Sequence, residues 1–287
     1  MKTFVALGAF AIAALCSGQA DAADTLIYAH GWIPNGADLS GYNNLSYEPH
    51  YPWGERPDSI NIAWDSGKNW TRSIVDAKTV LDSRCLRSAS QSCTVVCHST
   101  GCAIVAAALD IYGTVAGTPT WRVNRVLALA SNEGGSEIAT PSLIASFALK
   151  AYGIPAQDVS PTAVYLGPDY VRGAYDHHDT AGTPVFHVAG YDGGSYGSAL
   201  LIPGQDDGVV SFHSACGYVK AFGATYCSND WEWVRKTKWG VPYYVQRDVA
   251  RWTNHTRTAW CGRNGCDKTH MQMIDKQFQD LALLPNP

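Results

Sequence analysis

The sequence has little of several features that mark common classes of protein. Only 16% of its 287 residues are charged, and the formal net charge is −4. Such a chain does not provide the basic surface that attracts nucleic acids or anionic membranes. Beyond the N-terminus, no apolar run approaches the roughly 20 residues that a membrane span requires. The sequence therefore predicts neither a nucleic-acid-binding protein nor an integral membrane protein.

The longest apolar run lies at the N-terminus. Lys2 is followed by apolar residues 4–15 and then by the small-residue sequence Ala20-Asp21-Ala22. This arrangement is typical of a secretory signal peptide with an A-x-A cleavage site. We therefore expect residues 1–22 to be removed and residues 23–287 to form a single secreted domain, extracellular or periplasmic. Few Lys and Glu residues among many Gly, Trp and Tyr residues agree with an exported protein.

Nine cysteines are present, and eight remain without the signal peptide. An even number in an exported chain favours disulfides over metal or redox chemistry, although eight cysteines allow many connectivities. Proximity in sequence suggests four pairs: Cys85 with Cys93, Cys97 with Cys102, Cys216 with Cys227, and Cys261 with Cys266. The alternative is a longer bridge from Cys97 or Cys102 to Cys261 or Cys266.

Segments with strand and helix periodicity alternate along the domain. Strands are predicted at residues 25–29, 59–64, 93–99, 122–130 and 184–191, and helices at residues 68–81, 103–109, 142–152 and 271–284. Pro- and Gly-rich stretches at residues 34–58 and 153–182 are predicted as loops. The alternation indicates an α/β fold with a mostly parallel sheet and helices on both faces.

Residues 93–102 contain the strongest catalytic motif, Cys-Thr-Val-Val-Cys-His-Ser-Thr-Gly-Cys. A β-rich run leads to Ser99, and Thr100 and Gly101 open an Ala-rich helix. A serine at such a strand-to-helix turn presents its hydroxyl above the sheet as a nucleophile and directs the next backbone N–H toward an oxyanion. Cys97 stands where the G-x-S-x-G motif has its first glycine. The alternative is that Ser99 only caps the helix.

Three other segments carry a family resemblance. His30-Gly31 follows the first strand, the sequence Asp-Asp-Gly-Val-Val occupies residues 206–210, and His270 precedes the last predicted helix. A Gly-Ser-x-x-Ala sequence also occupies residues 135–139. On the Ser99 turn and these four segments, the chain resembles the α/β-hydrolase family, and secreted bacterial lipases and esterases in particular. The resemblance implies an α/β-hydrolase fold, and the cysteines predict that it is disulfide-braced. The aromatic-rich, Cys-bounded region at about residues 216–266 is the least family-like part of the chain and is expected to be an elaboration on this fold.

The resemblance also implies a catalytic triad. Ser99 is then the nucleophile, Asp207 the acid and His270 the base, in the chain order that the family uses. Asp206 is the alternative acid, and its other role would be to cap the turn. His255 is the alternative base.

The same resemblance implies an oxyanion hole. The backbone N–H groups of Trp32 and Thr100 are its expected donors. His30 and His98 flank these groups, and both are candidates for contact with the substrate.

The function that the resemblance implies is hydrolysis of a carboxylic ester in a small-molecule, lipid or polymeric substrate. We expect a monomer without a metal or organic cofactor. His177 and His178 lie between two Asp residues, but no second ligand cluster accompanies them, and a solvated loop is favoured. Amidases, thioesterases and acyltransferases use the same triad. A non-catalytic binding protein, with the Trp-rich region as its contact surface, is the alternative from another class.

Overall fold

The structure is a computed structural model, and it describes residues 24–32, 60–64, 69–139, 165–196, 202, 205–219, 231–248, 250–258, 265–279 and 281. The predicted signal peptide, the loop predicted at residues 34–58 and the helix predicted at residues 142–152 lie outside the described residues.

The centre of the molecule is a six-stranded sheet. Its strands are β1 (Thr25–Ala29), β2 (Ile60–Ile62), β3 (Cys93–His98), β6 (Val123–Leu129), β7 (Val185–Val188) and β10 (His255–Arg257). Their spatial order is β10-β7-β6-β3-β1-β2, and every neighbouring pair is parallel. All six carboxyl ends therefore lie at one edge, where the loops that follow β1, β3 and β6 meet.

Helices cover both faces of the sheet. The described helices are α1 (Trp70–Arg84), α2 (Thr100–Tyr112), α3 (Pro168–Ala174), α4 (Phe212–Ala215) and α5 (Lys276–Gln279). Side chains alternate along β1, so that Ile27 joins a core shared with α1 and α2, whereas Tyr28 joins a second core shared with the C-terminal segment. The predicted arrangement of a parallel sheet between helices is confirmed.

Two segments differ from the prediction. Residues 153–182, predicted as a loop, contain α3, which has a proline at its start and Asp169 in its first turn. Both features favour a helix N-terminus. The predicted last helix is divided into a 3₁₀ turn at Met271–Ile274 and the short helix α5. Asp275 between them has a ψ of 148°, and its carbonyl accepts from the Phe278 amide, as expected of a good N-cap residue.

Two hairpins lie outside the main sheet. β4 (Thr114–Val115) pairs with β5 (Thr118–Pro119), and β8 (Trp231–Lys238) pairs with β9 (Val241–Asp248). The β8–β9 hairpin belongs to the aromatic-rich region, and Trp239 at its turn is 92% exposed. β10 also comes from that region, yet it pairs with β7 in the main sheet. Among the described ranges, no helix has the length and apolar character to cross a membrane.

Disulfides brace the fold. Cys85 is bonded to Cys93 and Cys97 to Cys102, in the pairing that the sequence suggests. The alternative bridge from Cys97 or Cys102 to the C-terminal loop is therefore wrong. Cys216 and Cys266 are also disulfide-bonded. Their suggested partners, Cys227 and Cys261, lie outside the described residues, so those two pairings stay predictions.

Candidate active site

Ser99 occupies a sharp turn between β3 and α2. Its φ of 52° and ψ of −128° are unusual for a residue with a side chain, and such a conformation costs about 1–3 kcal/mol. The backbone around it is tightly held, because the Ser99 amide donates to Leu129 O (3.1 Å) and its carbonyl accepts from the Asn132 amide (3.1 Å). The side chain makes no capping hydrogen bond to the helix. The turn therefore holds a strained serine whose hydroxyl does not serve as an N-cap.

Close backbone packing positions this turn against the end of β1. A Cβ atom on Gly101 would lie 2.2 Å from His30 O and 2.6 Å from Ala29 O, so only glycine fits there. The Cys97–Cys102 disulfide joins the end of β3 to the first turn of α2, with a Cα–Cα distance of 4.9 Å. The start of α2 is thus fixed beside the His30-Gly31-Trp32 loop.

Asp207 and His270 form a buried pair at the same edge of the sheet. His270 Nδ1 donates to Asp207 Oδ2 over 2.8 Å, and the His270 amide donates to the Asp207 carbonyl over 2.8 Å. The other carboxylate oxygen, Oδ1, accepts from the amides of Val209 (3.0 Å) and Val210 (2.8 Å). Gly208 has a φ of 99°, which the turn needs. Both side chains are almost completely buried. Asp207 is therefore placed to hold the His270 imidazole in one orientation.

The two alternatives from the sequence have other contacts. Asp206 Oδ1 accepts from the Gly208 amide (2.8 Å), and its carbonyl accepts from the Gly193 amide (2.9 Å). Asp206 therefore caps the turn, the role considered for it above. His255 lies in β10, and its Nδ1 is 2.8 Å from His187 Nε2. The structure brings His270, and not His255, to Asp207.

His98 contacts His270 directly. Its Nε2 donates to the His270 carbonyl (3.0 Å), and the two rings lie with centroids 4.6 Å apart. Burial, with a further contribution from the nearby His270, holds the pKa of His98 well below its usual value. The structure therefore places His98 against His270, and its contact with the substrate stays a prediction.

A pocket lined mostly by aromatic and apolar side chains lies beside the turn. Trp32 and Thr100, the two residues expected to form the oxyanion hole, both line it. The other lining residues are Trp64, Trp70, Ser73, Tyr165 and Leu166. His30 braces one wall, because its ring stacks on Trp64 with centroids 5.0 Å apart and its carbonyl accepts from Trp64 Nε1 (2.8 Å). Apolar side chains therefore surround the residue that follows the candidate nucleophile.

The loop that carries Asp207 is tied to the segment after β6. Ser211 Oγ donates to Glu137 Oε1 (2.9 Å) and lies 2.8 Å from His213 Nε2, which also contacts Glu137. Burial alone would raise the pKa of Glu137, but the hydrogen bond and charge of His213 outweigh it and hold this pKa below its ordinary value. Ser136 Oγ donates to the Val209 carbonyl. No local sequence motif indicates this network, because its members meet only in the folded chain.

A second buried group lies beyond the turn. Glu133, His187 and His255 have donor atoms within 4.8 Å of one another. Burial raises the pKa of Glu133 to about 8, with Ser131 opposing this through its hydrogen bond. Burial lowers the pKa of His255 to about 3 and that of His187 well below its usual value. Burial therefore favours the uncharged form of each of these three side chains.

Comparison with known proteins gives structural matches only. No protein-family model matches the chain, and no curated protein matches it in sequence. The mature form of the lipase BlEst2 from Bacillus licheniformis aligns with a TM-score of 0.54 at 15% identity, over 91% of each chain. EstA from Clostridium botulinum aligns with a TM-score of 0.50 at 10% identity, over 92% of this chain and 88% of that one. At these identities the likeness concerns the fold.

The fold-level features now agree with one another. The sheet is parallel, and helices cover both of its faces. The Ser99 turn and the loops that carry Asp207 and His270 meet at its carboxyl edge. Two bacterial proteins of known structure share the fold. The chain therefore has the α/β-hydrolase fold that its sequence predicts, and it resembles the bacterial lipases and esterases built on that fold.

Proposed function

We propose that the mature chain is a secreted serine hydrolase that cleaves carboxylic esters, with Ser99 as nucleophile, His270 as general base and Asp207 as the group that orients the base. The strongest support is the 2.8 Å hydrogen bond from His270 Nδ1 to Asp207 Oδ2. Because this bond fixes the proton on Nδ1, Nε2 of the same ring is free of a proton and can accept one.

The first chemical step is acyl transfer to Ser99. The hydroxyl oxygen attacks the acyl carbon while its proton passes to His270 Nε2, and Asp207 stabilises the imidazolium that forms. His270 then gives this proton to the departing alcohol. In the second step His270 takes a proton from water, the hydroxide attacks the acyl-enzyme, and the proton returns to Ser99. No cofactor enters this sequence of steps.

Backbone groups would stabilise the negative charge that forms on the acyl oxygen. The amides of Trp32 and Thr100 are the proposed donors, and each donor of this kind contributes about 3 kcal/mol to the transition state. The close packing at Gly101 supports this assignment, because it holds the first turn of α2 against the loop that carries Trp32. Such fixed donors need no reorganisation during the reaction.

The proposed substrate has an apolar acyl part and belongs to a lipid or a polymer. The pocket between Trp32 and Thr100 is walled by aromatic side chains, and one of the two similar structures is a lipase. The β8–β9 hairpin exposes Trp239, Val241 and Tyr244 to solvent at 92%, 66% and 63%. Aromatic side chains at such positions bind well to the surface of an aggregated substrate.

The test is ester turnover by the purified mature chain. We expect hydrolysis of p-nitrophenyl esters, with a loss of at least about 1,000-fold in kcat for Ser99→Ala. Ser90→Ala is the matched control, because Ser90 is an exposed serine in a turn, also with a positive φ of 56°, and this variant should keep full activity. A folded protein that hydrolyses p-nitroanilides or thioesters but no ester would move the proposal to amidase or thioesterase chemistry. Turnover unchanged in Ser99→Ala would contradict the proposal.

A further inference from the structure

Three buried side chains near the nucleophile turn take no part in the proposed chemistry. Glu133 follows β6, His187 lies in β7, and His255 begins β10. His187 Nε2 is 2.8 Å from His255 Nδ1, and the latter atom is 3.5 Å from Glu133 Oε2. The parallel pairing of three neighbouring strands therefore directs two imidazole nitrogens and one carboxylate oxygen to one point.

When Glu133 is ionised, its carboxylate lacks the cation that a buried anion needs. Ser131 Oγ donates to its Oε1 (3.0 Å), but within the described ranges Oε2 makes no hydrogen bond and has only the 3.5 Å approach of His255. The side chain is 1% exposed. Leaving a carboxylate in such a place without a cation is strongly unfavourable. A divalent cation would supply the missing charge.

We propose that Glu133, His187 and His255 bind one divalent transition-metal ion, with zinc preferred, as a structural site. Two imidazole nitrogens and one carboxylate oxygen suit zinc, whereas calcium and magnesium prefer oxygen ligands alone. All three side chains are buried, so the ion would be shielded from an ester substrate. Water takes the fourth coordination position. The ion has no role in the serine chemistry, for which the sequence predicts no metal.

The distances fit such an ion after a small adjustment. Tetrahedral zinc with bonds of about 2.0–2.1 Å holds its N and O ligand atoms about 3.3 Å apart. The present separations of 2.8 Å and 3.5 Å lie on either side of this value. Binding would replace the hydrogen bond between the two imidazoles by two metal–nitrogen bonds, and would require the rings to move apart by about 0.5 Å.

The surroundings also suit a metal ligand set. Backbone groups of Ala215 and His177 lie close to His187 and His255, respectively. A Cβ on Gly217 would come within 2.7 Å of His187 Nε2, and its φ of 73° also favours glycine. The edge of Trp252 packs on His255 with ring centroids 5.4 Å apart. The ligands are thus oriented and shielded from solvent.

The position of the site gives the ion a mechanical role. Glu133 directly follows Asn132, whose amide donates to the carbonyl of Ser99 and whose side chain contacts Thr100 Oγ1. An ion bound to Glu133 would therefore connect the loop that supports the nucleophile turn with β7 and β10. We expect the bound ion to stabilise the whole domain, since the unfolded chain cannot preserve this ligand geometry.

The experiment measures metal in the mature chain, produced with its disulfides and without a histidine tag. Inductively coupled plasma mass spectrometry should find about one zinc ion per chain after refolding with zinc. His187→Ala and His255→Ala should each lower this content at least about tenfold. His178→Ala is the matched control and should keep the full content, because His178 is an exposed histidine outside the cluster. Cobalt in place of zinc should give a tetrahedral visible spectrum that both cluster variants lose.

If the histidine variants fail to fold, the near-isosteric variant Glu133→Gln takes their place. Its thermal unfolding is then measured as zinc is added. Zinc at about 100 times its Kd should raise the Tm of the original chain by about 5 °C and that of Glu133→Gln by less than about 1 °C. A correctly disulfide-bonded chain that retains less than 0.1 equivalent of any transition metal would overturn the proposal. Equal metal content in the cluster variants and the original chain would mean an adventitious ion only, and would overturn it as well.

Discussion

The Asp207→Asn variant tests the proposed orientation of the base. Asp207 Oδ1 accepts from two backbone amides, so the oxygen of an introduced Asn must stay on that side, and its NH₂ group must face His270. An NH₂ donor requires His270 Nδ1 to accept, which moves the ring proton to Nε2. The imidazole can then no longer take the proton of Ser99.

The expected loss is large in turnover and modest in stability. A base held in the wrong tautomer lowers kcat by about 10⁴-fold, equivalent to about 5 kcal/mol of activation free energy. The two amide hydrogen bonds remain, but they change from charged to neutral bonds, and the free energy of unfolding should fall by about 2 kcal/mol. A domain of ordinary stability remains folded after such a loss.

The assay compares kcat on a soluble p-nitrophenyl ester with urea unfolding of the same samples. Asp206→Asn is the matched control, because Asn can keep the 2.8 Å hydrogen bond that Asp206 accepts from the Gly208 amide. We expect this control to retain activity within about threefold. The reasoning would be refuted if Asp207→Asn kept more than a tenth of the activity, or if both variants lost activity equally.

Three further variants test separate parts of the account. Gly101→Ala places a Cβ 2.2 Å from a backbone carbonyl and should cost more than about 3 kcal/mol in urea unfolding, whereas Gly173→Ala, which meets nothing within 4 Å, should be neutral or stabilising; equal costs would contradict the packing argument. His98 has a lowered pKa in the folded state, so its stabilising contribution is complete above pH 6.5 and is lost as the pH falls below that value. His98→Gln should therefore reduce the slope of unfolding free energy against pH by up to about 1.4 kcal/mol per unit between pH 5 and 6, and an unchanged slope would mean that His98 is protonated in the fold. Trp239→Ala should reduce hydrolysis of emulsified esters about tenfold without changing turnover of a soluble ester, with Val115→Ala in the other hairpin as control; an equal loss on both substrates would argue against a surface-binding hairpin.

Local chemistry explains what could be predicted from the sequence. β1 was predictable because a short apolar run is bounded by polar residues, and the structure places it at the same residues. The Asp207 turn was recognisable through the resemblance of its Asp-Gly-Val-Val sequence to the acid segment of secreted lipases. The motif is short because the carboxylate accepts from amides two and three residues later. The strand–Ser99–helix pattern likewise depends on neighbours in sequence.

Tertiary contacts explain what could not be predicted. His187 and His255 meet because β7 and β10 are neighbours in the sheet, and no local pattern determines that pairing. The contact of His98 with His270 also depends on the folded position of the C-terminal loop. Asp275 is an opposite case, in which a local feature overrides a longer pattern. The apolar spacing of residues 271–284 predicted one helix, but this capping residue divides it.

The proposed function depends above all on Ser99 as the nucleophile. The most direct test treats the folded mature chain with a fluorophosphonate, digests it, and identifies the modified residue by mass spectrometry. We expect one adduct per chain, on Ser99, and none when His270 has been replaced by Ala. An adduct on another residue, or no adduct on a protein whose circular dichroism shows that it is folded, would contradict the account.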